Sequence, residues 1–331
     1  MTVKILHPGL LTTVQDLGRF GSQQFGVIVS GAMDPYSLRI ANLLVGNDQG
    51  EGALEITLMG PSMQFQQDQL IAITGGNLQA TINGERVPLW RPIVVKKGSV
   101  LQFKNAVQGC RAYIAFAGGI DVPEVMGSKS TYMRAGIGGY KGRALQKGDV
   151  FSCGKMGEQS RSLNREWEDL REHLTWTVNY NALVNLEQTQ TIHVLKGTEF
   201  DRFDRASQLA LFEGTYTLTS SSDRMGSRLE GPVLSLSETF ELLSEGVTYG
   251  TIQIPPNGQP IILMADRQTT GGYPKIGQVM TADLPSLAQL RPGAKIRFKE
   301  ASLEQAENEY MNKERIIQKI KTGVHLKGMA N

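Results

Sequence analysis

Short strand-like runs separated by glycine turns fill the chain from residue 70 to residue 151, and this pattern restricts the possible folds more than any other feature. Turns are predicted at Gly75-Gly76, Asn83-Gly84, Lys97-Gly98 and Lys147-Gly148, and Asn-Gly is a strong hairpin signal because both residues tolerate positive φ. Such regular spacing favours a barrel or a sandwich. The runs cover residues 70–74, 78–82, 93–95, 100–103, 112–116 and 145–150.

Further strands and a few helices are predicted on both sides of this region. A helix is predicted to begin at Asp34-Pro35, because Asp caps free amides and Pro is tolerated in the first turn, and to end at Gly46. Further helices are expected at 201–212 and 302–321, and strands at 5–14, 54–65 (interrupted by a turn at 59–61), 191–195, 216–219, 250–254 and 261–264.

The length of 331 residues predicts two domains, at roughly 150 residues per domain. The polar, charged stretch that follows residue 155 has no strand pattern and is the candidate linker. We therefore expect a mainly β protein of two β-barrel domains with a few short helices. The boundaries are 1–155 for the first barrel, 156–175 for the linker, 176–300 for the second barrel and 301–331 for a terminal helix and tail.

Composition excludes several classes of function. With 34 Lys plus Arg against 32 Asp plus Glu, the formal charge of +2 gives no strong field to hold nucleic acid or an anionic membrane. Cys110 and Cys153 are too few for a disulfide framework or a Cys-rich zinc site. No signal-peptide core and no run of about 18 apolar residues is present. We expect a soluble, cytoplasmic protein without nucleic-acid or membrane partners.

Common catalytic motifs are missing as well. The sequence has no G-x-x-x-x-G-K-[ST] phosphate loop, no G-x-S-x-G elbow and no H-E-x-x-H metal motif, so no metal site is predicted. The segment 136–139 resembles a nucleotide fingerprint only superficially. The four histidines, His7, His173, His193 and His325, are expected in core or surface roles.

The first of three polar clusters combines Gln15, Asp16 and Arg19 beside the Gly18 turn, followed by a second stretch that ends at Asp34. Amide, carboxylate and guanidinium groups beside a glycine turn can approach a ligand closely. A structural Asp16–Arg19 pair that braces the turn is an equal alternative.

The second cluster places Arg224 and Arg228 four residues apart. Two guanidinium groups can form a fork for a carboxylate or a phosphate, because each offers paired donors in one plane. Ion pairing of these arginines with Asp223 and Glu230 is the alternative.

The third cluster, residues 265–275, directly follows the apolar strand predicted at 261–264. It offers a carboxylate in Asp266, an amide in Gln268 and hydroxyls in Thr269 and Tyr273, together with two glycines that let a ligand reach the backbone. Polar side chains at the end of a buried strand are a common way to build a small-molecule site.

These clusters, with the segments 111–123 and 127–131, closely resemble the family of the C subunits of bacterial 5-oxoprolinase. The family is also described as Kip antagonist-like, allophanate hydrolase subunit 2-like, or biotin-dependent carboxyltransferase subdomains A and B. The resemblance runs from about residue 6 to about residue 298 and implies cyclophilin-like β-barrels.

The resemblance also implies a function. The assembled enzyme would convert 5-oxoproline to glutamate with ATP and Mg²⁺. This chain would act with a Kip inhibitor-like B subunit, together with a LamB/YcsF-like A subunit, and would be inactive alone. Under this hypothesis Asp16, Asp34 and Asp266 are the candidate catalytic carboxylates. Arg224, Arg228, Gln268, Thr269 and Tyr273 are the candidate substrate-binding residues.

Two alternative functions remain open from the sequence. One is carboxyl transfer in a biotin-dependent enzyme like urea carboxylase, with biotin arriving on another protein, since the chain has no Met-Lys-Met attachment segment. The other is a regulatory protein that binds and antagonises a kinase inhibitor. All three functions are compatible with the same barrels.

Overall fold

A computed structural model of the chain describes residues 2–169, 176–238 and 242–329. The chain divides into two compact units. Unit 1 comprises Met1–Arg19, Ser30–Asn185 and Glu314–Asn331, and unit 2 comprises Phe20–Val29 and Leu186–Lys313. This division differs from the predicted boundaries, because the chain enters unit 2 for ten residues near its start and returns to unit 1 within its last helix.

Unit 1 is built of two antiparallel sheets. The seven-stranded sheet has the order β11-β12-β1-β4-β9-β6-β7 and the five-stranded sheet the order β2-β3-β10-β5-β8. Side chains from both sheets form one apolar core, which includes Ile5, Phe65, Ile114 and Phe151. The strands are β1 Thr2–His7, β2 Leu11–Gln15, β3 Ala53–Thr57, β4 Ser62–Phe65, β5 Gln69–Asn77, β6 Thr81–Ile82, β7 Glu85–Arg86, β8 Pro92–Val95, β9 Val100–Gln102, β10 Gln108–Phe116, β11 Ile120–Asp121 and β12 Val150–Cys153.

Three local predictions in unit 1 were wrong. The strand expected at 5–14 breaks at Gly9, whose φ is +73° and where a Cβ would lie 2.5 Å from the Met59 carbonyl oxygen. Gly75-Gly76 is not a turn but part of β5, where the missing side chains let the Arg111 carbonyl of β10 approach. The last strand begins at Val150, after the Lys147-Gly148 turn rather than before it.

Helix α1, Pro35–Leu44, confirms the predicted start signal. Asp34 accepts hydrogen bonds from the Ser37 amide (2.9 Å) and the Ser37 hydroxyl (2.5 Å), so its carboxylate caps the helix as Asp at this position commonly does. The helix then buries its apolar side chains, Leu38 and Ile40 among them. Helix α2, Glu158–Asp169, occupies much of the predicted linker, and residues 170–175 lie outside the described residues.

Unit 2 confirms the expected β-barrel. Seven strands close in the order β13-β20-β17-β18-β15-β14-β21, with the ring completed by parallel pairing of β21 and β13. Buried side chains such as Ile192, Ile252, Ile262 and Phe298 fill the interior. The elements are β13 Thr189–Lys196, α3 Arg205–Glu213, β14 Tyr216–Leu218, β15 Gly226–Glu230, β16 Glu245–Gly246, β17 Thr251–Gln253, β18 Ile261–Leu263, β19 Thr270–Gly271, β20 Lys275–Val279, α4 Leu284–Ala288 and β21 Lys295–Glu300.

The C-terminal helix α5, Leu303–Met329, has 27 residues and is longer than the predicted 302–321. Within unit 1, Glu314 of this helix accepts two hydrogen bonds (2.5 and 2.7 Å) from the Arg39 guanidinium of α1. Ile317 and Val324 of the same helix are buried. No described helix combines the length and the apolar character needed to cross a membrane.

Asp16 holds the segment 128–131 against the end of β2. Its carboxylate accepts hydrogen bonds from the Ser128 hydroxyl (2.7 Å), the Ser130 hydroxyl (2.5 Å), the Lys129 amide (2.6 Å) and the Gly18 amide (2.8 Å). Arg19 reaches the same region by donating to the carbonyls of Val125 and Ser130. The carboxylate therefore has four donors from its own unit.

Replacing Asp16 with Asn is expected to destabilise the chain by about 1.5–3 kcal/mol, because the new amide NH₂ cannot accept the hydrogen bonds that the carboxylate oxygens accept. The midpoint of urea unfolding measures the effect. Asp68→Asn is the matched control, since Asp68 forms a half-exposed pair with Lys96 and should contribute at most about 1 kcal/mol.

Unchanged stability of Asp16→Asn, combined with a loss of activity in an assembled enzyme, would instead assign Asp16 to catalysis.

Candidate functional site

The structure sorts the eight predicted site residues between the two units. Asp16 and Asp34 lie in unit 1, and the other six lie in unit 2. The contacts of Asp16 and Asp34 described above are those of a loop brace and a helix cap. They favour structural roles, so a catalytic role for either carboxylate stays a prediction.

Arg224 and Asp266 bind each other. The guanidinium donates from Nε and Nη2 to the two carboxylate oxygens of Asp266, both at 2.9 Å, and the side chains are only 5% and 9% exposed. The Asp266 amide also donates to the Arg224 carbonyl at 2.8 Å. The sequence predicted an anion-binding arginine and a catalytic carboxylate. The structure brings the two side chains together as a buried, mutually neutralising pair that joins the turn before β15 to the loop after β18. Their roles in binding and catalysis stay predictions.

Arg228 has a different environment, although it lies only four residues away. Its side chain is exposed, and its guanidinium forms no ion pair with a described residue. Asp223 accepts hydrogen bonds from the amides of Met225 and Gly226 in the turn before β15. Arg228 therefore remains the candidate for binding an anion.

A small cavity lies on the outer face of the barrel wall formed by β15, β18 and β17. Arg228 and Gln253 are both cross-strand partners of Ile261, and cross-strand partners share one face of a sheet. Ile262 and Ile252, one residue away, are fully buried on the opposite face. This outer-wall cavity has a volume of about 140 Å³ and is lined by Met225, Gly226, Arg228, Val247, Gln253, Ile261, Leu263, Arg267, Gln268, Thr270 and Tyr273.

The loop after β18 covers this cavity, and its far end is fixed by Lys275. The Lys275 ammonium lies 2.5 Å from Glu245 and 3.4 Å from Glu199. Burial alone would lower the pKa of Lys275, but its hydrogen bonds to Glu245 and the two nearby negative charges outweigh burial and raise the pKa above the usual value. Lys275 is therefore held as a cation that ties β20 to the short β16–β19 ladder.

Gln253 fits tightly beneath the same loop. Its side-chain amide donates to the Tyr273 carbonyl at 3.2 Å, and a Cβ on Gly271 would lie 2.5 Å from its Nε2. Only glycine allows that approach without displacing Gln253. Sequence reasoning missed Gln253 and Arg267. A glutamine inside the apolar strand predicted at 250–254 was the one signal for the former.

Thr269 lines a neighbouring cavity of about 370 Å³. The two cavities share Val247, Arg267 and Gln268. The other residues around the second cavity are Gln23, Val29, Gly246 and Thr248. The structure thus brings Arg228, Gln268 and Tyr273 to one cavity and places Thr269 at the adjoining one.

The chemistry of the outer-wall cavity is that of a binding site rich in hydrogen-bond donors. Guanidinium, amide and hydroxyl groups line it, and neither Asp nor Glu is among the lining residues that the structure describes. No histidine or cysteine is among these described lining residues either, and burial raises the pKa of the Cys153 thiol, elsewhere in the fold, to about 12. Within the described part of the chain, no three His, Cys, Asp or Glu side chains converge as metal ligands do. These groups suit a small polar anion.

Comparison with known proteins agrees with the resemblance in the sequence. The family model for the carboxyltransferase domain, subdomain A and B, matches residues 25–300. The 5-oxoprolinase C subunit of Escherichia coli is 42% identical over 323 residues, which is 98% of this chain and 99% of that protein. The 5-oxoprolinase C subunit of Haemophilus influenzae is 39% identical, over 92% of this chain and 93% of that protein.

A solved structure extends the comparison. The crystal structure of the K. lactis urea amidolyase matches with a TM-score of 0.87 at 31% identity, covering 96% of this chain and 20% of that one. From its match to the family model and its identity to both bacterial proteins, the chain belongs to the family of the carboxyltransferase domain, subdomain A and B, together with the 5-oxoprolinase C subunits.

Proposed function

We propose that the chain is the C subunit of an ATP-dependent 5-oxoprolinase that cleaves 5-oxo-L-proline to L-glutamate in the cytoplasm. The observation that carries this proposal is the 42% identity to the E. coli protein over nearly the full length of both chains. That relative is one subunit of its enzyme, which supports the presence of further subunits here. For these we propose a Kip inhibitor-like B subunit, together with a LamB/YcsF-like A subunit.

The outer-wall cavity is the proposed binding site for 5-oxoproline. The ligand is a small ring that carries a carboxylate and a lactam, and the cavity of about 140 Å³ offers groups for both. Arg228 would bind the carboxylate, because a guanidinium presents two parallel donors to two oxygens. Gln268, Thr270 and Tyr273 would bind the lactam oxygen and nitrogen, since an amide and two hydroxyls can each donate or accept.

Resonance stabilises the lactam amide against attack, and negative charge develops on the carbonyl oxygen when a nucleophile adds to the carbonyl carbon. Donors already positioned at that oxygen stabilise the charge without reorganising. Gln268 and Tyr273 are the proposed donors. Both belong to the loop whose ends are fixed by the Arg224–Asp266 pair and by Lys275, so their positions would be set before the substrate binds.

The described residues around this cavity do not suit ATP with Mg²⁺. No carboxylate is among the described lining residues to hold Mg²⁺, and Asp266, the one predicted catalytic carboxylate in this unit, is bound to Arg224. A volume of about 140 Å³ is also small for a nucleotide, because sites for drug-sized ligands usually enclose about 300–1,000 Å³. We therefore assign nucleotide binding to one of the partner subunits and derive no step through ATP on this chain.

Carboxyl transfer is the second candidate, and the similarity to the K. lactis urea amidolyase favours it. Urea has the same planar N–C=O group as a lactam, so the same donors could hold it, with biotin arriving on another protein. Identity to the two 5-oxoprolinase proteins is higher, at 42% and 39% against 31%. For that reason 5-oxoproline cleavage is our main proposal.

The assembly itself is testable by reconstitution. The isolated chain should form no glutamate from 5-oxoproline and ATP, whereas a mixture with the purified A and B subunits should, because the phosphate-handling groups are assigned to a partner. Glutamate is measured by coupled assay, with each pair of subunits as a control.

Glutamate formation by the chain alone would contradict the assignment of nucleotide binding to a partner subunit. A mixture that carboxylates urea with carboxybiotin but leaves 5-oxoproline intact would establish the second candidate.

Three substitutions test the cavity in that mixture. Arg228→Met, Gln268→Ala and Tyr273→Phe should each lower kcat/KM by an amount equivalent to about 1–3 kcal/mol, because each removes one hydrogen-bonding group from the proposed site. The melting temperature should hardly change, since all three side chains are exposed. Arg297→Met is the matched control, because Arg297 is an exposed arginine of β21 that lies outside the cavity lining.

Normal activity in all three variants would show that the substrate does not bind in this cavity. A lower melting temperature with unchanged activity per folded complex would show that the loop has only a structural role.

A further inference from the structure

A third cavity, in unit 1, lies between the C-terminal helix α5 and the segment 176–182. Its volume is about 410 Å³, within the range of small-molecule sites. It belongs to a different unit from the outer-wall cavity, and the proposed function makes no use of it. We call it the helix cavity. Its lining residues are Trp176, Thr177, Val178, Asn179, Ala182, Ile316, Lys319, Ile320, Gly323, Val324 and Lys327.

One stripe of α5 provides an apolar floor. Ile316, Ile320 and Val324 are spaced four residues apart, so they lie above one another on the helix surface. Trp176 and Val178 add further apolar surface on the other side of the cavity. Val324 is buried, whereas Ile316 and Ile320 are only partly buried and keep apolar surface exposed to the cavity.

A second stripe of the same helix provides positive charge with a gap between the charges. Lys319, Gly323 and Lys327 are again four residues apart, which puts the glycine between the two lysines. A Cβ added at Gly323 would meet no atom within 4 Å, so the glycine leaves this part of the cavity open. Neither lysine forms an ion pair with a described residue. No acidic residue is among the described residues that line the cavity.

We propose that the helix cavity binds a free medium-chain aliphatic carboxylate. The alkyl chain would lie along the floor of Ile316, Ile320 and Val324, where burial removes apolar surface from water. The carboxylate would lie over Gly323, between the ammonium groups of Lys319 and Lys327, which carry the opposite charge. The alkyl chain of such a ligand matches the apolar floor, and its carboxylate matches the two lysine ammonium groups beside the floor.

Decanoate, below its micelle concentration, is the probe for this site. The full chain should bind one equivalent with saturation in isothermal titration calorimetry. 1-Decanol should bind at least about tenfold more weakly, since it keeps the alkyl chain and lacks the charge. A charge-reversing variant, Lys319→Glu with Lys327→Glu, should weaken decanoate by at least about tenfold and leave decanol nearly unchanged.

Gly323→Leu is the most direct variant. It fills the space between the lysines, and it should not destabilise the helix because leucine has a higher helix propensity than glycine. Decanoate binding should fall by at least about tenfold. Thr322→Leu is the matched control, because Thr322 is exposed on the same helix and does not line the cavity. Helical circular dichroism and the melting temperature verify that both variants fold.

Several outcomes would overturn the proposal. One is the absence of saturable decanoate binding to the wild-type chain, and another is equal binding by Gly323→Leu and the wild type. A third is decanol binding as tightly as decanoate, which would remove the role of the lysines. Co-sedimentation with anionic phosphatidylglycerol vesicles that is lost in Gly323→Leu would assign the cavity to a membrane surface rather than to a free carboxylate.

Discussion

The buried ion pair between Arg224 and Asp266 holds together the part of unit 2 on which the proposed function depends. It connects the turn before β15 to the loop after β18, and a backbone hydrogen bond between the same two residues reinforces it. Removing one partner of a buried pair typically costs about 3–5 kcal/mol, because the other charge stays buried without compensation. Lys275 fixes the other end of the loop through Glu199 and Glu245. These two anchors fix the ends of the loop, and the exposed side chains of Gln268 and Tyr273 between them line the cavity.

Much of the fold could be predicted from local signals. Asp34 followed by proline predicted the start of α1, and the alternation of apolar runs with glycine turns predicted a mainly β chain with a barrel. The loop after the strand at 261–263 was chosen as a site because Gln268, Thr269 and Tyr273 follow a buried strand, and two of these three line the outer-wall cavity. Each of these inferences depends on residues close together in the sequence.

Local signals in the sequence do not reveal contacts over long sequence distances. Arg224 has acidic neighbours in the sequence, and its guanidinium also binds Asp266, 42 residues away. Asp16 similarly finds its donors at Ser128 and Ser130, more than 110 residues away. The two glycines at 75–76 read as a turn because the sequence cannot show that another strand's carbonyl comes close to them. Polar residues that satisfy one another across the fold therefore resemble functional residues when only the sequence is considered.

Composition also does not predict which face of a strand carries a given side chain. Arg228 and Gln253 meet on the outer wall because both are paired with Ile261, and that register depends on the closure of the whole barrel.

The central claim is that 5-oxoproline binds at this wall. A crystal structure of the chain assembled with the A and B subunits and soaked with 5-oxoproline tests it most directly. We predict the ligand carboxylate within about 3.2 Å of the Arg228 guanidinium and the lactam against Gln268 or Tyr273. A bound 5-oxoproline that contacts none of the residues lining the outer-wall cavity would contradict the account.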